Sequence, residues 1–163
     1  MANFHIGDYV FHIHCGICKI NDISPLSGDD SGNLYYVLSP LFGEDKGNIV
    51  RVPLSNPISL RLPIKKEDAE IIVSSWPRDD INHYIVDSKK RKLSYEEALS
   101  LGDIAVMAPL LVGAKQRKQR DGHLNSMDGQ FVHRVEPIIY GELSLALGIP
   151  FEQIPSYIAS KVA

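Results

Sequence analysis

The chain has 163 residues and 18.1 kDa, room for one domain or two small ones. Hydrophobic residues make up 44% and charged residues 23%, a globular composition that excludes wholesale disorder. The net charge of −3 excludes a nucleic-acid binder that works through bulk charge alone, and two cysteines are too few for a disulfide framework.

No apolar run approaches the roughly 18 residues of a transmembrane span, and no n-region with h-region opens the chain, so the reading is cytoplasmic with no membrane partner. Charge is distributed unevenly. Residues 1–63 carry 4 Lys/Arg against 6 Asp/Glu, and residues 64–163 carry 13 against 14. In the second stretch the cations are clumped as Lys89-Lys90-Arg91-Lys92 and Lys115-Gln116-Arg117-Lys118-Gln119-Arg120. Two such clusters on a near-neutral background suit either a local phosphate-facing patch or a pair of solvated helix faces.

In chain order, residues 4–63 read as β. Tyr9 to Ile13 and Ile17 to Ile23 are aromatic and β-branched runs around a reversal at His14 to Gly16. A polar, glycine-bearing loop over 25–32 leads to a third strand at Leu34–Leu38, and Asn48–Pro53 makes a fourth, which Pro53 ends. Ile58–Arg61 alternates and makes a fifth. Five short strands with turn signals between them predict a small SH3- or Tudor-like antiparallel barrel.

At Pro63-Ile64 the period changes. Ala69, Ile72, Val73 and Trp76 have helical spacing, predicting a helix from Lys65 to Trp76 that Pro77 ends. Residues 77–92 read as a linker or short turns. Ser94-Tyr95-Glu96-Glu97 is a capping box opening a short helix through Leu99. Asp103 caps a helix to about Arg120, with Pro109 as a kink. Ser126 caps a helix from about Met127 to Leu147 with Pro137 as a second kink, Gly148 stops it, and Pro150 starts the last helix to about Val162. The fold class is therefore α+β: an N-terminal barrel over 1–63 and an all-helical domain over 64–163.

The opening pattern Phe-x-Ile-Gly-Asp-Tyr-Val, then His-x-His-x-Gly-Ile, then Lys-Ile, is similar to the N-terminal RNA-polymerase-interacting domain of the bacterial CarD/CdnL transcription regulators and to a module of the transcription-repair coupling factor. Val50-Arg51-Val52-Pro53 resembles the strand that this module adds to the polymerase β subunit by edge pairing, with Arg51 as the anchoring cation. The alternative role for Arg51 is an edge-strand charge that blocks aggregation. Leu101-Gly102-Asp103-Ile104, the basic stretch 115–118 and the run 139–146 occur in the order and spacing of CarD-type helical domains. The resemblance implies contact with promoter DNA beside the melted region, through Tyr84, Lys89, Lys90, Arg91, Lys92, Lys115, Arg117, Lys118 and Arg120, and a longer-lived open complex.

Where actinobacterial members insert a tryptophan into the minor groove, this chain has Ser88 and Lys89. Tyr84-Ile85-Val86-Asp87 with Arg91 looks closer to a clostridial variant with an aromatic there, and the spacing of Trp76 makes it core rather than wedge. A strand that recruits polymerase can also recruit a second copy, so the expected monomer has a strand-exchanged dimer as its alternative.

His12, His14, Cys15 and Cys18 form a compact cluster containing Cys-x-x-Cys. Such residues suit zinc or redox chemistry, yet Cys18 enters a strand, no second ligand pair follows, and the resembling family has other residue types there. No metal, cofactor or catalytic site is expected. Nucleotide-binding glycine motifs are absent, and His83, His123 and His133 are scattered, so the chain reads as a non-enzyme. The rival reading is a Tudor/SH3-like adaptor that binds protein and never touches nucleic acid.

Overall fold

The computed structural model describes residues 3–162, which divide between Pro63 and Ile64 into two compact units. The first unit is one antiparallel sheet of β1 (Tyr9–His12), β2 (Gly16–Pro25), β3 (Leu34–Pro40), β4 (Val50–Pro53) and β5 (Leu60–Arg61), in the order β4-β3-β2-β1-β5. Gly16 closes the β1–β2 hairpin with φ +73°, a conformation that L-residues with a Cβ rarely adopt. In β2 the register with β3 shifts between Ile20 and Asp22, and this bulge bends the longest strand. The sheet curls over Phe4, Val10, Cys18, Ile20, Tyr36, Leu38, Val52 and Leu60, with the Phe4 and Tyr36 rings edge-on at 5.7 Å. Its two edges, β4 and β5, do not pair, so the predicted barrel is an open half-barrel.

The second unit is helical: α1 (Lys66–Ser74), α2 (Ser88–Leu101), α3 (Ile104–Asp121), α4 (Ser126–Leu147), a 3-10 turn (Phe151–Gln153) and α5 (Ile154–Val162). The α3–α4 pair forms its centre; α1 packs on α4 and α5, and α2 on α3. Ile104, Met107, Leu111, Val135, Ile139, Leu143 and Ile154 are wholly or almost wholly buried between them.

Three sequence expectations need revision. The capping box at Ser94 does not start a helix, because α2 begins six residues earlier, where Asp87 accepts from Lys89 N (3.0 Å) and Lys90 N (3.1 Å). Residues 88–92 thus belong to a helix and not to a linker. Asn125, rather than Ser126, caps α4 by accepting from Asp128 N at 2.9 Å. The last helix is preceded by a 3-10 turn, so its α-helical part begins at Ile154.

Both interior prolines lie inside continuous helices, Pro109 in α3 and Pro137 in α4. Each removes a donor to the carbonyl four residues earlier, on Ala105 and His133 respectively. Both of those residues are exposed, where water can satisfy a released carbonyl.

Candidate functional site

The N-terminal unit offers a strand edge. β4 pairs with β3 alone, in the register Leu38↔Val50, Val37↔Arg51, Tyr36↔Val52 and Tyr35↔Pro53. Val52 is buried in the core, so strand alternation turns Arg51 to the opposite face, where it is exposed. The outer backbone edge of β4 has no strand beside it among the described residues, and Ile49 next to it is 59% exposed. A short edge carrying an apolar residue and a cation suits the addition of a partner strand.

At the opposite end of β2, the β1–β2 hairpin carries His12 at the end of β1, His14 and Cys15 in the turn, and Cys18 in β2. His14 N donates to His12 Nδ1 at 3.1 Å, and the two imidazoles are 5.5 Å apart. Among the described residues, no group of three His, Cys, Asp or Glu side chains is arranged to hold a metal ion.

In the helical unit the residues expected to face DNA fall into three kinds. Lys89, Lys90 and Lys92 on the first turns of α2 and Lys118 near the end of α3 are exposed, and no carboxylate pairs with them among the described residues. Lys115, Arg117 and Arg120 are committed to neighbours. Lys115 pairs with Glu136; burial by itself would lower its pKa, but the hydrogen bonds and charges of Glu136 and Tyr140 outweigh that and raise it. Arg117 pairs with Asp121 at 2.6 Å and Arg120 approaches the same carboxylate at 3.7 Å.

Tyr84 and Arg91 form the third kind, and the structure turns both inward, Tyr84 to 8% and Arg91 to 5% exposure. Asp128 organises them. Its carboxylate receives Arg91 Nε at 2.8 Å, Tyr84 OH at 2.7 Å and Tyr95 OH at 2.8 Å. Arg91 Nη1 also donates to Ile85 O at 2.9 Å and Val86 O at 3.2 Å. Burial, followed by the hydrogen bond to Asp128, pushes both tyrosine hydroxyls above their ordinary range. Tyr95 also stacks on Phe131 with centroids 3.9 Å apart. Tyr84 and Arg91, expected as DNA contacts, are thus engaged in an internal clamp around Asp128, whose buried carboxylate needs such partners.

Around this clamp, the segment over 79–86 is fastened to α3. Gln116 Nε2 donates to Ile81 O at 2.9 Å, and His83 N donates to Gln116 Oε1 at 3.0 Å. The guanidinium carbons of Arg91 and Arg117 lie 4.7 and 4.9 Å from the Tyr84 ring centroid, within cation–π range. A cleft of about 500 Å³ opens here, rimmed by Asn82, Val86, Gln116, Arg117, Gln119 and Arg120. Sequence reading missed Asp128 and Gln116. The available signal was Arg91 with Tyr95, four residues apart on one helix face, a spacing that presents two donors to one acceptor. Trp76 is half-buried beyond the end of α1 and lines an apolar groove of about 260 Å³ with Leu111, Tyr140 and Ile158.

No helix among the described residues is long and apolar enough to cross a membrane. Residues 4–64 match the family described as the CarD-like/TRCF RID domain. No curated protein matches the chain.

Proposed function

We propose, from the match of residues 4–64 to the CarD-like/TRCF RID domain, that the chain is a bacterial transcription regulator acting on RNA polymerase. In this reading the β4 edge, Val50 to Pro53, docks on the β subunit and Arg51 grips a carboxylate there. The helical unit then touches promoter DNA at the upstream edge of the bubble and lengthens the life of the open complex. The protein acts as a cytoplasmic monomer, by binding and without catalysis.

The observation that carries the polymerase half is the unpaired β4 edge with Arg51 exposed on it, inside the matched region. The DNA half rests on Lys89, Lys90 and Lys92. Cations at a helix N-terminus oppose the macrodipole, at a cost of about 0.3–1 kcal/mol each. Asp87 already occupies the anion position there. Three lysines held in an unfavourable place fit a phosphate partner better than mere solvation. Tethering through β4 raises the local concentration of this weak surface, so a chain of net charge −3 can still act on DNA. Tyr84 stands where a clostridial-type variant has its aromatic; as a clamp residue it supports the segment rather than wedging a base step.

One observation favours the adaptor reading: the burial of Tyr84 and Arg91 withdraws an aromatic and a cation from the DNA-facing set. The decisive experiment measures binding to a purified β-subunit lobe fragment, beside Arg51→Glu. Micromolar binding that the substitution abolishes supports the regulator; absence of wild-type binding removes it and leaves an adaptor for another partner.

A further inference from the structure

The apolar groove beside Trp76 has no part in the proposed docking and lies within the helical unit. Leu111 and Val112 of α3 and Ile158 of α5 are buried and form its floor. Pro155, Ala159 and Val162 recur at the spacing of one helix face, and that face of α5 makes a wall. Lys115 stands one turn beyond Leu111 on α3 and brings a charge to the rim. Its ammonium pairs with Glu136 and donates to Tyr140 OH at 3.4 Å. An ammonium carries three protons, so one is left over, and the Lys115 side chain is 47% exposed. Tyr140 lines the groove with Lys115, whereas Glu136 does not. We infer that the groove is a binding site for a medium-chain monocarboxylate, its apolar tail along α5 and its head on Lys115.

Volume sets the tail. The groove of about 260 Å³ has room for about nine waters at about 30 Å³ each, and a methylene fills nearly the same space as a water. A chain of about eight carbons therefore occupies it. Water itself is a poor occupant, because Leu111, Pro155 and Ile158 offer it no side-chain hydrogen bond. Charge sets the head. Lys115 is the cation among the lining residues and favours an anion. Asp79 is the carboxylate among them and opposes a second negative charge. A carboxylate thus fits better than a phosphate ester, which is close to a dianion at neutral pH.

The site is built before any ligand arrives. Trp76 N donates to Val73 O at 3.2 Å, which holds the tryptophan at the end of α1. Gln116 Nε2 donates to Asp79 O at 3.4 Å and ties the same stretch to α3. Pro77 and Pro155 each fix their own φ. Binding therefore has little backbone to order, and the apolar contact of the tail is not spent on folding a loop.

Trp76 is the sole tryptophan, so its emission reports on the groove directly. The full chain is titrated with octanoate, octanol, octylamine and octyl phosphate, which share one tail and differ in the charge of the head. Calorimetry of the same titrations gives a second readout. Octanoate should bind saturably with a dissociation constant between about 10 µM and 1 mM, the range of a small ligand of this size. The other three should bind about fivefold more weakly or worse, the value of a half-exposed charged contact. Lys115→Met should bring octanoate down to the affinity of octanol and leave octanol unchanged. Ala159→Phe, at an exposed position of the wall, should weaken all four by filling the groove. Three results would each overturn the inference. They are no saturable response to octanoate by about 10 mM, octanol or octylamine binding as tightly as octanoate, and wild-type affinity in Ala159→Phe. None of these outcomes depends on polymerase or DNA binding.

Discussion

Arg91 and Asp128 form an ion pair at 2.8 Å in which Arg91 is 5% and Asp128 0% exposed. Two ions taken out of water persist only where the remaining donors and acceptors are satisfied. Here the two tyrosine hydroxyls complete the carboxylate and two backbone carbonyls complete the guanidinium. The pair joins α2 and the segment just before it to the start of α4, 37 residues further along the chain.

Removing one ion strands the other. Asp128→Ala should destabilise the helical unit by about 3–5 kcal/mol, well over 10 °C in its unfolding midpoint. The double variant Arg91→Met with Asp128→Ala should regain much of that loss, since no buried charge is left over. Thermal unfolding followed by circular dichroism checks both; a single-variant loss below about 1 kcal/mol would show that the pair is hydrated in solution.

At Gly113 the backbone of α3 lies directly against the segment it carries. A Cβ there would meet His83 O at 2.6 Å and Tyr84 N at 2.9 Å, both backbone atoms that cannot swing away. Gly113→Ala should cost about 1–3 kcal/mol despite alanine's better helix propensity. Hydrogen exchange should localise the loosening to residues 79–86.

The clamp tyrosines give an alkaline dependence. Both hold their protons more tightly folded than unfolded, with pKa values raised above the ordinary 10. Their contribution is therefore complete below the unfolded value and is lost as pH rises beyond about 10. Denaturant unfolding at pH 8 and pH 10.5 should show the wild type losing stability at the higher pH. The double variant Tyr84→Phe with Tyr95→Phe should start lower and lose less over the same interval.

The lysines of α2 make a measurable claim on DNA. Each phosphate contact contributes about 0.9 to the slope of log affinity against log salt. Replacing Lys89, Lys90 and Lys92 with Gln should reduce the slope for duplex DNA by about 2–3 while binding to the β-subunit fragment is unchanged. An unaltered slope would assign these side chains to solvent and favour the adaptor.

Much of the strand and helix inventory is readable without coordinates. Alternating β-branched residues locate the five strands, and Asp103 and Gly148 mark helix ends by their capping chemistry, which acts over three or four residues. The start of α2 was not readable, because Ser88-Lys89-Lys90-Arg91-Lys92 has the polarity of a loop. Its one inward side chain is an arginine, whose burial pays off only beside Asp128.

The amino-acid sequence by itself determined the two-part α+β organisation and the likeness of the first 60 or so residues to a polymerase-interacting module, since periodicity, turn residues and motif spacing are local properties. Tertiary structure decided the rest. It left β4 as an open edge and drew Tyr84 and Arg91 inward. The reason is common to both: whether an edge or a cation is available depends on which distant groups lie next to it. Burial and pairing are set by residues tens of positions away, such as Asp128, 37 residues beyond Arg91.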